Sequence, residues 1–327
     1  MNKTDNYLDK HRVTYVHISL LYSFAVGLGL YGWNVDYFVY MDNPNNIWRP
    51  SEFIGGALST LTIEGVYLGG YVVAFFLAYS ILIFNHAYFR SVSNKYKKIE
   101  VIFISILALH MWPIIIASTN ALRQGLALAF ILLLVSYTIN SKSVNIFKIF
   151  LVIFLLTFSH KMGMLYSSII VFIMYISSRN SKTKKYKSWK FTVIYISLFS
   201  FFSMLILKYF KIISSDHTRS TGFDMSYLLF GFLLIVVSLY LYKWNSFKNT
   251  KLIQLRFFII LAFSATAPFL NQSLVYERLV WPIFIFSLFE IITLLKWVNF
   301  RYTLVLILLF LSGVSTVRFI FLSNIFP

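Results

Sequence analysis

The sequence predicts an all-α polytopic integral membrane protein with about eleven transmembrane helices (10–12), and three observations support this fold class. The chain is 59% hydrophobic and only 12% charged, whereas a soluble domain carries about a quarter charged residues. Apolar runs of helical length recur along the whole chain. Positive charge is unevenly divided between alternate connecting segments, as expected of a membrane protein. The whole chain, residues 1–327, is predicted to be a single transmembrane domain.

The apolar runs define the candidate helices. Eleven spans are predicted, at residues 14–32, 66–84, 101–117, 122–139, 146–159, 162–177, 191–207, 225–242, 257–270, 279–295 and 302–322. Most connections between them are short. The longer outer loop segments are 33–65 and 208–224.

The charged residues orient the bundle. With the N-terminus inside, 21 of the 29 Lys and Arg residues fall in inner segments, and cationic loops resist translocation. The C-terminus is therefore predicted to lie outside. Because the cations sit in these loops, the net charge of +18 does not indicate nucleic-acid binding. Zero cysteines exclude disulfides and thiolate metal sites.

The stretch 146–177 is predicted to cross the membrane twice. Its 32 residues would rise about 48 Å as one helix, which is too long for a hydrocarbon core about 30 Å thick. A single crossing would also place six cations, between Arg179 and Lys190, outside. We therefore expect two short or tilted spans that turn at Ser159, His160 and Lys161.

Prolines mark the outer ends of three predicted spans. Pro113, Pro268 and Pro282 each remove a backbone donor and can bend or end a helix there. Bent outer ends would open a cavity at the membrane boundary, although Pro113 and Pro282, each preceded by a tryptophan, also fit simple boundary punctuation. Because the outer loops are short, any active site is expected to be built largely from helix ends.

The turn between the third and fourth spans carries the most specific pattern. Asn120, Arg123, Gln124 and Ala127 have the spacing of one helix face. An arginine at that level usually faces the bundle interior or a wet cavity. Thr119 or Asn120 is a candidate cap, and the helix N-terminus favours an anion, so a phosphate seat is predicted. The alternative is an arginine that extends to the interface.

Several segments resemble the EpsG-like branch of Wzy-type polysaccharide polymerases. The resemblance covers about residues 60–180 and lies in Asn120 to Gln124 with Gly125-Leu126-Ala127, in Phe158-Ser159-His160-Lys161, and in Glu64-Gly65-Val66-Tyr67. Val275-Tyr276-Glu277-Arg278-Leu279 adds a further similarity outside that range.

The resemblance implies an enzyme of the bacterial cytoplasmic (inner) membrane whose active face is outward. Such a protein polymerises polyprenyl-diphosphate-linked oligosaccharide repeat units into O-antigen, capsule or exopolysaccharide. Its partners would be the lipid-linked donor and acceptor, membrane lipids, and a chain-length regulator and flippase of the same pathway. No cofactor is implied, and the absence of metal-binding motifs agrees with a site without metal.

The chemistry assigns roles to several outer residues. A departing diphosphate needs cations, and arginine binds phosphate oxygens bidentately, so we expect Arg123 and Arg278 on the diphosphate with Lys161 or Arg219 assisting. His160 is the first candidate for the base that activates the acceptor hydroxyl. The other candidate bases are Glu64, Glu277 and Asp224. Asn120, Gln124, Tyr67 and Glu277 complete the predicted substrate contacts.

Each of these residues also has a structural interpretation. His160 fits a hairpin between two short helices, Glu64 fits a local cap, and Glu277 and Arg278 fit mutual neutralisation.

Two other functions also fit the sequence. A lipid-linked oligosaccharide flippase or transporter needs many spans, but the middles of these spans are almost free of charge and no internal repeat is visible. A membrane-embedded acyltransferase acting on surface sugars would need a histidine near an acyl donor, whereas His160 is predicted to face outward.

Overall fold

The structure is a computed structural model. It describes residues 5–31, 35–42, 52–92, 98–119, 121–140 and 146–160, together with residues 163, 166–167, 169–171, 198, 201–202, 205–206, 209, 281–283 and 285–286. Most of these residues are helical, which confirms the predicted helical class. The prediction of one domain stays a prediction.

Eight helices and one hairpin make up the described part of the chain as far as residue 160. The helices are α1 (Asp5–Gly27), α2 (Val35–Asp42), α3 (Phe53–Ser59), α4 (Gly69–Val92), α5 (Lys98–Leu109), α6 (Trp112–Thr119), α7 (Leu122–Asn140) and α8 (Ile146–Ser159). Strands β1 (Thr62–Ile63) and β2 (Val66–Tyr67) pair antiparallel, with Thr62 opposite Tyr67.

Helix α4 forms the centre of this assembly. It contacts α1, α2, α3, α5, α6 and α7, and Val73, Leu77 and Phe84 are fully buried along it. Leu82, on the opposite side of α4 from Val73, is also fully buried, and a helix that is apolar on all sides can pack against several neighbours at once. Tyr15 of α1 packs with Leu82 and Ile83 in one buried cluster. The segment Gly69–Phe89 is long and apolar enough to cross a membrane; in the described ranges it is the one helix that meets both conditions.

The second predicted span, 66–84, differs from the helix at both ends: Val66 and Tyr67 form β2, and α4 runs from Gly69 to Val92. Polar residues after Phe84 suggested a boundary, but they are bonded within the bundle. Asn85 donates to the carbonyl oxygen of Val101 at 2.8 Å, and His86 Nδ1 lies 2.8 Å from the Tyr15 hydroxyl. A buried polar group with a partner does not force a helix to end.

The third predicted span is interrupted rather than continuous. Helix α5 ends at Leu109 and α6 begins at Trp112. Pro113 lies in the first turn of α6, where its missing N–H is tolerated. The amides of His110 and Met111 instead make short-range bonds to Leu107 and Ala108. The break at residues 110–111 precedes Pro113 and fits the alternative that this proline marks a helix boundary; a cavity at this end stays a prediction.

Segment 33–65, predicted to be an outer loop, is not simply a loop. It contains α2, α3 and β1, and α3 contacts α4, α7 and α8. Sequence patterning missed these contacts because the apolar stretch of α3 is only seven residues long.

The fourth and fifth apolar segments were predicted closely. Helix α7 begins at Leu122 and α8 ends at Ser159, as expected. The two helices contact each other and are joined by a short connection, so the start of α7 and the end of α8 lie at one end of this pair.

The chain divides into two compact units by its contacts. The first comprises residues 1–164 and 298–327 and contains all eight helices and the hairpin; the second comprises residues 165–297. In the second unit, Tyr166, Trp281 and Phe286 are buried. The spans predicted after residue 180 and the outer segment 208–224 lie almost entirely outside the described residues.

Candidate functional site

A buried carboxylate lies at the end of the bundle where α7 starts and α8 finishes. Glu52 immediately precedes α3, and its side chain is only 2% exposed. It makes no capping bond to that helix. Burying an ionised carboxylate costs free energy unless the group is paired. The stability of the fold therefore depends on which residues surround Glu52.

Arg123 is the main partner of this carboxylate. Its Nη1 atom donates to Glu52 Oε2 at 2.7 Å, which is the short distance expected of a charge-assisted hydrogen bond. Its Nε atom donates to the Tyr40 hydroxyl at 3.1 Å, and the guanidinium carbon lies 5.7 Å from the centre of the Tyr40 ring. The Arg123 side chain is 18% exposed. The guanidinium group is thus held by Glu52 and Tyr40 but remains partly exposed.

His160 lies on the other side of the same carboxylate. Its Nε2 atom is 4.0 Å from Glu52 Oε1, and its side chain is 20% exposed. This distance is too long for a hydrogen bond, although a protonated imidazole there would form an ion pair. The structure therefore brings together Arg123 and His160, two of the residues proposed from sequence, around an acid to which no role was assigned.

Close packing of α3 against α8 sets the position of Glu52. A Cβ atom added at Gly55 would lie 1.9 Å from the Ser159 carbonyl oxygen, so glycine is needed for this approach. The rings of Phe53 and Phe158 are 5.0 Å apart, and Phe154 packs on both. These contacts hold the residue before α3 beside the residue after α8.

A second close contact positions Arg123. A Cβ atom at Gly125 would lie 2.0 Å from the carbonyl oxygen of Ala117, so α6 and the first turn of α7 approach too closely for any side chain there. The Ala121 amide bonds to Ile116, and the Ala121 carbonyl accepts the amide of Gly125. Ala121 thus occupies the position just before α7, and this tight reversal presents Arg123 in the first helical turn.

Thr119 does not cap α7, contrary to the prediction. It is the last residue of α6, and its hydroxyl donates back to the Ile115 carbonyl at 2.8 Å. Because the Thr119 hydroxyl already donates its hydrogen bond within α6, it does not cap α7. Asn120, the other proposed cap and a proposed substrate contact, lies outside the described residues.

Other predicted substrate contacts occupy different surroundings. Gln124 follows Arg123 but is buried, with 3% of its surface exposed. The Tyr67 hydroxyl donates to the carbonyl oxygen of Ser59 at 2.7 Å, which ties β2 to the last residue of α3. The contact of Gln124 and Tyr67 with a substrate stays a prediction.

Glu64 lies in the exposed turn of the hairpin. Glu64 and Gly65 have φ angles of 51° and 81°, and two consecutive positive values are typical of a type I′ turn. The alternative that Glu64 caps a helix is wrong, since α4 begins at Gly69. A catalytic role for Glu64 stays a prediction.

The remaining proposed site residues lie outside the described residues. They are Lys161, Arg219, Asp224, Glu277 and Arg278. In the part of the chain that the structure describes, no three His, Asp or Glu side chains form a group suited to a metal ion.

Comparison with known proteins gives no relative. The chain matches no family model, and no curated protein or solved structure is similar enough to count as a match.

Proposed function

We propose that this protein is a multi-pass membrane glycosyltransferase that polymerises polyprenyl-diphosphate-linked oligosaccharide repeat units into surface polysaccharide. In this proposal the chain crosses the cytoplasmic membrane about eleven times with its N-terminus inside, and the active face is periplasmic. The resemblance to EpsG-like polymerases and the distribution of cations support it.

The observation that carries the proposal is the grouping of Arg123, Glu52 and His160. Arg123 Nη1 lies 2.7 Å from Glu52 Oε2, and His160 Nε2 lies 4.0 Å from Glu52 Oε1. A cation suited to phosphate and a candidate base thus lie beside one carboxylate, and in this proposal the lipid headgroup meets the protein at these helix ends. The lipid chain would remain in the bilayer while its diphosphate reaches Arg123.

The reaction requires one bond to form and one to break. The acceptor hydroxyl attacks the anomeric carbon of the donor glycan, and its proton passes to His160 as the new glycosidic bond forms. The bond from that carbon to the phosphate oxygen breaks, and its electron pair leaves with polyprenyl diphosphate. Arg123 stabilises the negative charge on the departing oxygen, a type of contact worth about 3 to 4 kcal/mol in oxyanion sites.

Other residues complete the proposed site. Arg278 shares the diphosphate with Arg123, and Lys161 or Arg219 assists. Asn120, Gln124, Tyr67 and Glu277 contact the saccharides. Glu64 remains a second candidate base.

Loss of Arg123 tests the proposal most directly. In Arg123→Ala cells we expect single repeat units on the surface where the wild type makes long chains, because the leaving group loses its main cation. Lys148→Ala is the matched control: Lys148 is exposed near the opposite end of α8, and its removal should leave the chain-length ladder intact. Gel analysis of surface polysaccharide, with immunoblots for equal protein, measures both. A full ladder in Arg123→Ala cells would refute the assignment.

Reporter fusions test the proposed topology. Fusions at Arg123 and Arg278 should report the periplasm, and a fusion at Lys148 should report the cytosol. A cytosolic signal at Arg123 would rule out a periplasmic diphosphate site there.

One observation favours a flippase as the second candidate. The third apolar segment is broken between Leu109 and Trp112, and interrupted helices often line transport sites. Deletion of the gene separates the functions. Single-unit products indicate a polymerase, absence of surface product indicates a flippase, and full ladders lacking a substituent indicate an acyltransferase.

A further inference from the structure

The two oxygen atoms of the Glu52 carboxylate face different groups. Oε2 accepts a hydrogen bond from Arg123 at 2.7 Å, while Oε1 lies 4.0 Å from Nε2 of His160. One interaction is therefore made and the other lies just beyond bonding distance. A contraction of about 1 Å would convert the second into a hydrogen bond.

Exposure separates the carboxylate from the groups on either side of it. Arg123 and His160 are 18% and 20% exposed, whereas Glu52 is 2% exposed. An incoming ligand can thus reach the guanidinium and the imidazole before it reaches the carboxylate. This arrangement suits a residue that acts through its neighbours rather than on the substrate.

A diphosphate would compete with Glu52 for Arg123. Phosphate oxygens form bidentate, charge-assisted bonds with guanidinium groups, and their negative charge opposes a carboxylate on the same cation. A buried carboxylate that loses part of its pairing needs another donor. His160 Nε2 is close enough to provide it.

We propose that Glu52 is a positioning residue that exchanges Arg123 for His160 when the lipid diphosphate binds. The inference rests on the proposed function and adds a coupling between donor binding and activation of the base. In the bound state Glu52 accepts a hydrogen bond from Nε2–H of His160, which leaves Nδ1 unprotonated. Nδ1 then takes the proton from the acceptor hydroxyl, and the carboxylate stabilises the imidazolium that forms.

Glu52→Gln distinguishes this exchange from a purely structural role. The amide removes the charge that competes for Arg123, so we expect the variant to bind a diphosphate about tenfold more tightly, as expected from loss of one charge-assisted contact. Turnover should nevertheless fall at least tenfold, because His160 loses its counter-ion. A residue that only maintains the fold would weaken binding when replaced.

The binding probe is farnesyl diphosphate, titrated calorimetrically into the purified full-length protein in detergent micelles. Asp42→Asn is the matched control, because Asp42 is an exposed acid at the end of α2. The affinity of this variant for farnesyl diphosphate should stay within about twofold of that of the wild type. Turnover is measured with lipid-linked repeat units, and KM for the donor should fall in Glu52→Gln along with kcat.

The outcomes separate the two proposals. If the wild type does not bind farnesyl diphosphate, the proposed function fails. If the wild type binds it but Glu52→Gln binds equally or less tightly, only the exchange is wrong.

If Glu52→Gln does not fold, Glu52→Asp provides the same test. It keeps the charge and withdraws it by one methylene group, so we expect about threefold tighter binding and reduced turnover. Unchanged or weaker binding in that variant would overturn the exchange.

Discussion

Removal of both charges from the Arg123–Glu52 pair should be less harmful to stability than removal of one. Arg123→Gln leaves a carboxylate that is 2% exposed without its main cation, and we expect a loss of about 3 kcal/mol, near the lower limit for a broken buried pair. Glu52→Gln should lose less, about 1 to 2 kcal/mol, because Arg123 is 18% exposed and water partly replaces its partner.

The double variant should recover most of this loss. Two neutral amides can hydrogen-bond across the same space, so we expect a net loss of about 1 kcal/mol and an interaction energy of about 3 to 4 kcal/mol. The assay is reversible unfolding in mixed detergent micelles, followed by circular dichroism. Additive losses in the double variant would show that Arg123 and Glu52 are not energetically coupled, and the description of the site would be wrong.

Three further predictions concern packing and catalysis. Gly55→Ala should lower the unfolding free energy by about 1 to 3 kcal/mol, because its Cβ would overlap the Ser159 carbonyl; an unchanged value in the same unfolding assay would contradict that close approach. His160→Ala should lower turnover about 10²-fold or more and weaken farnesyl diphosphate binding in titration calorimetry, because Glu52 can then no longer exchange Arg123 for His160; normal polymerisation would remove His160 as the base. Arg278→Lys should shorten the surface polysaccharide on gels, because a two-pronged contact becomes a single one, whereas full-length chains would indicate a general electrostatic role.

The sequence alone singled out Arg123 and His160, the two partly exposed side chains that the structure places beside Glu52. Arg123 was identified because a charged side chain at the start of an apolar helix is costly and usually functional. His160 was identified because a 32-residue apolar stretch is too long for one crossing and was predicted to turn near that residue. Helix α8 does end at Ser159. These inferences are local: they depend on helix length and on the cost of burying charge, both of which can be estimated without knowing the neighbours.

Glu52 could not be found in the same way. Its segment is a seven-residue helix with no long apolar period, and its burial depends on contacts with residues about a hundred positions later in the chain. The adjacent pair Gly55 and Gly56 was a signal of close packing. The local sequence, however, does not indicate that the packing partner is Ser159. Likewise, Pro113 predicted a bend, whereas the break before α6 coincides with a contact between His110 and the Tyr31 hydroxyl, 2.9 Å apart.

The docking of α3 on α8 also has a consequence for biogenesis. Gly55 leaves the ribosome long before Ser159, and at about 5 to 20 residues per second the delay amounts to roughly 5 to 20 seconds. For roughly the first 4 to 14 seconds of that interval, Glu52 also lacks Arg123 of α7, its main partner, so its acidic side chain must stay hydrated. Ribosomes stalled before residue 123 should therefore hold nascent chains in which Glu52 still reacts with a water-soluble carboxyl reagent, a reactivity that falls once α7 and α8 have emerged.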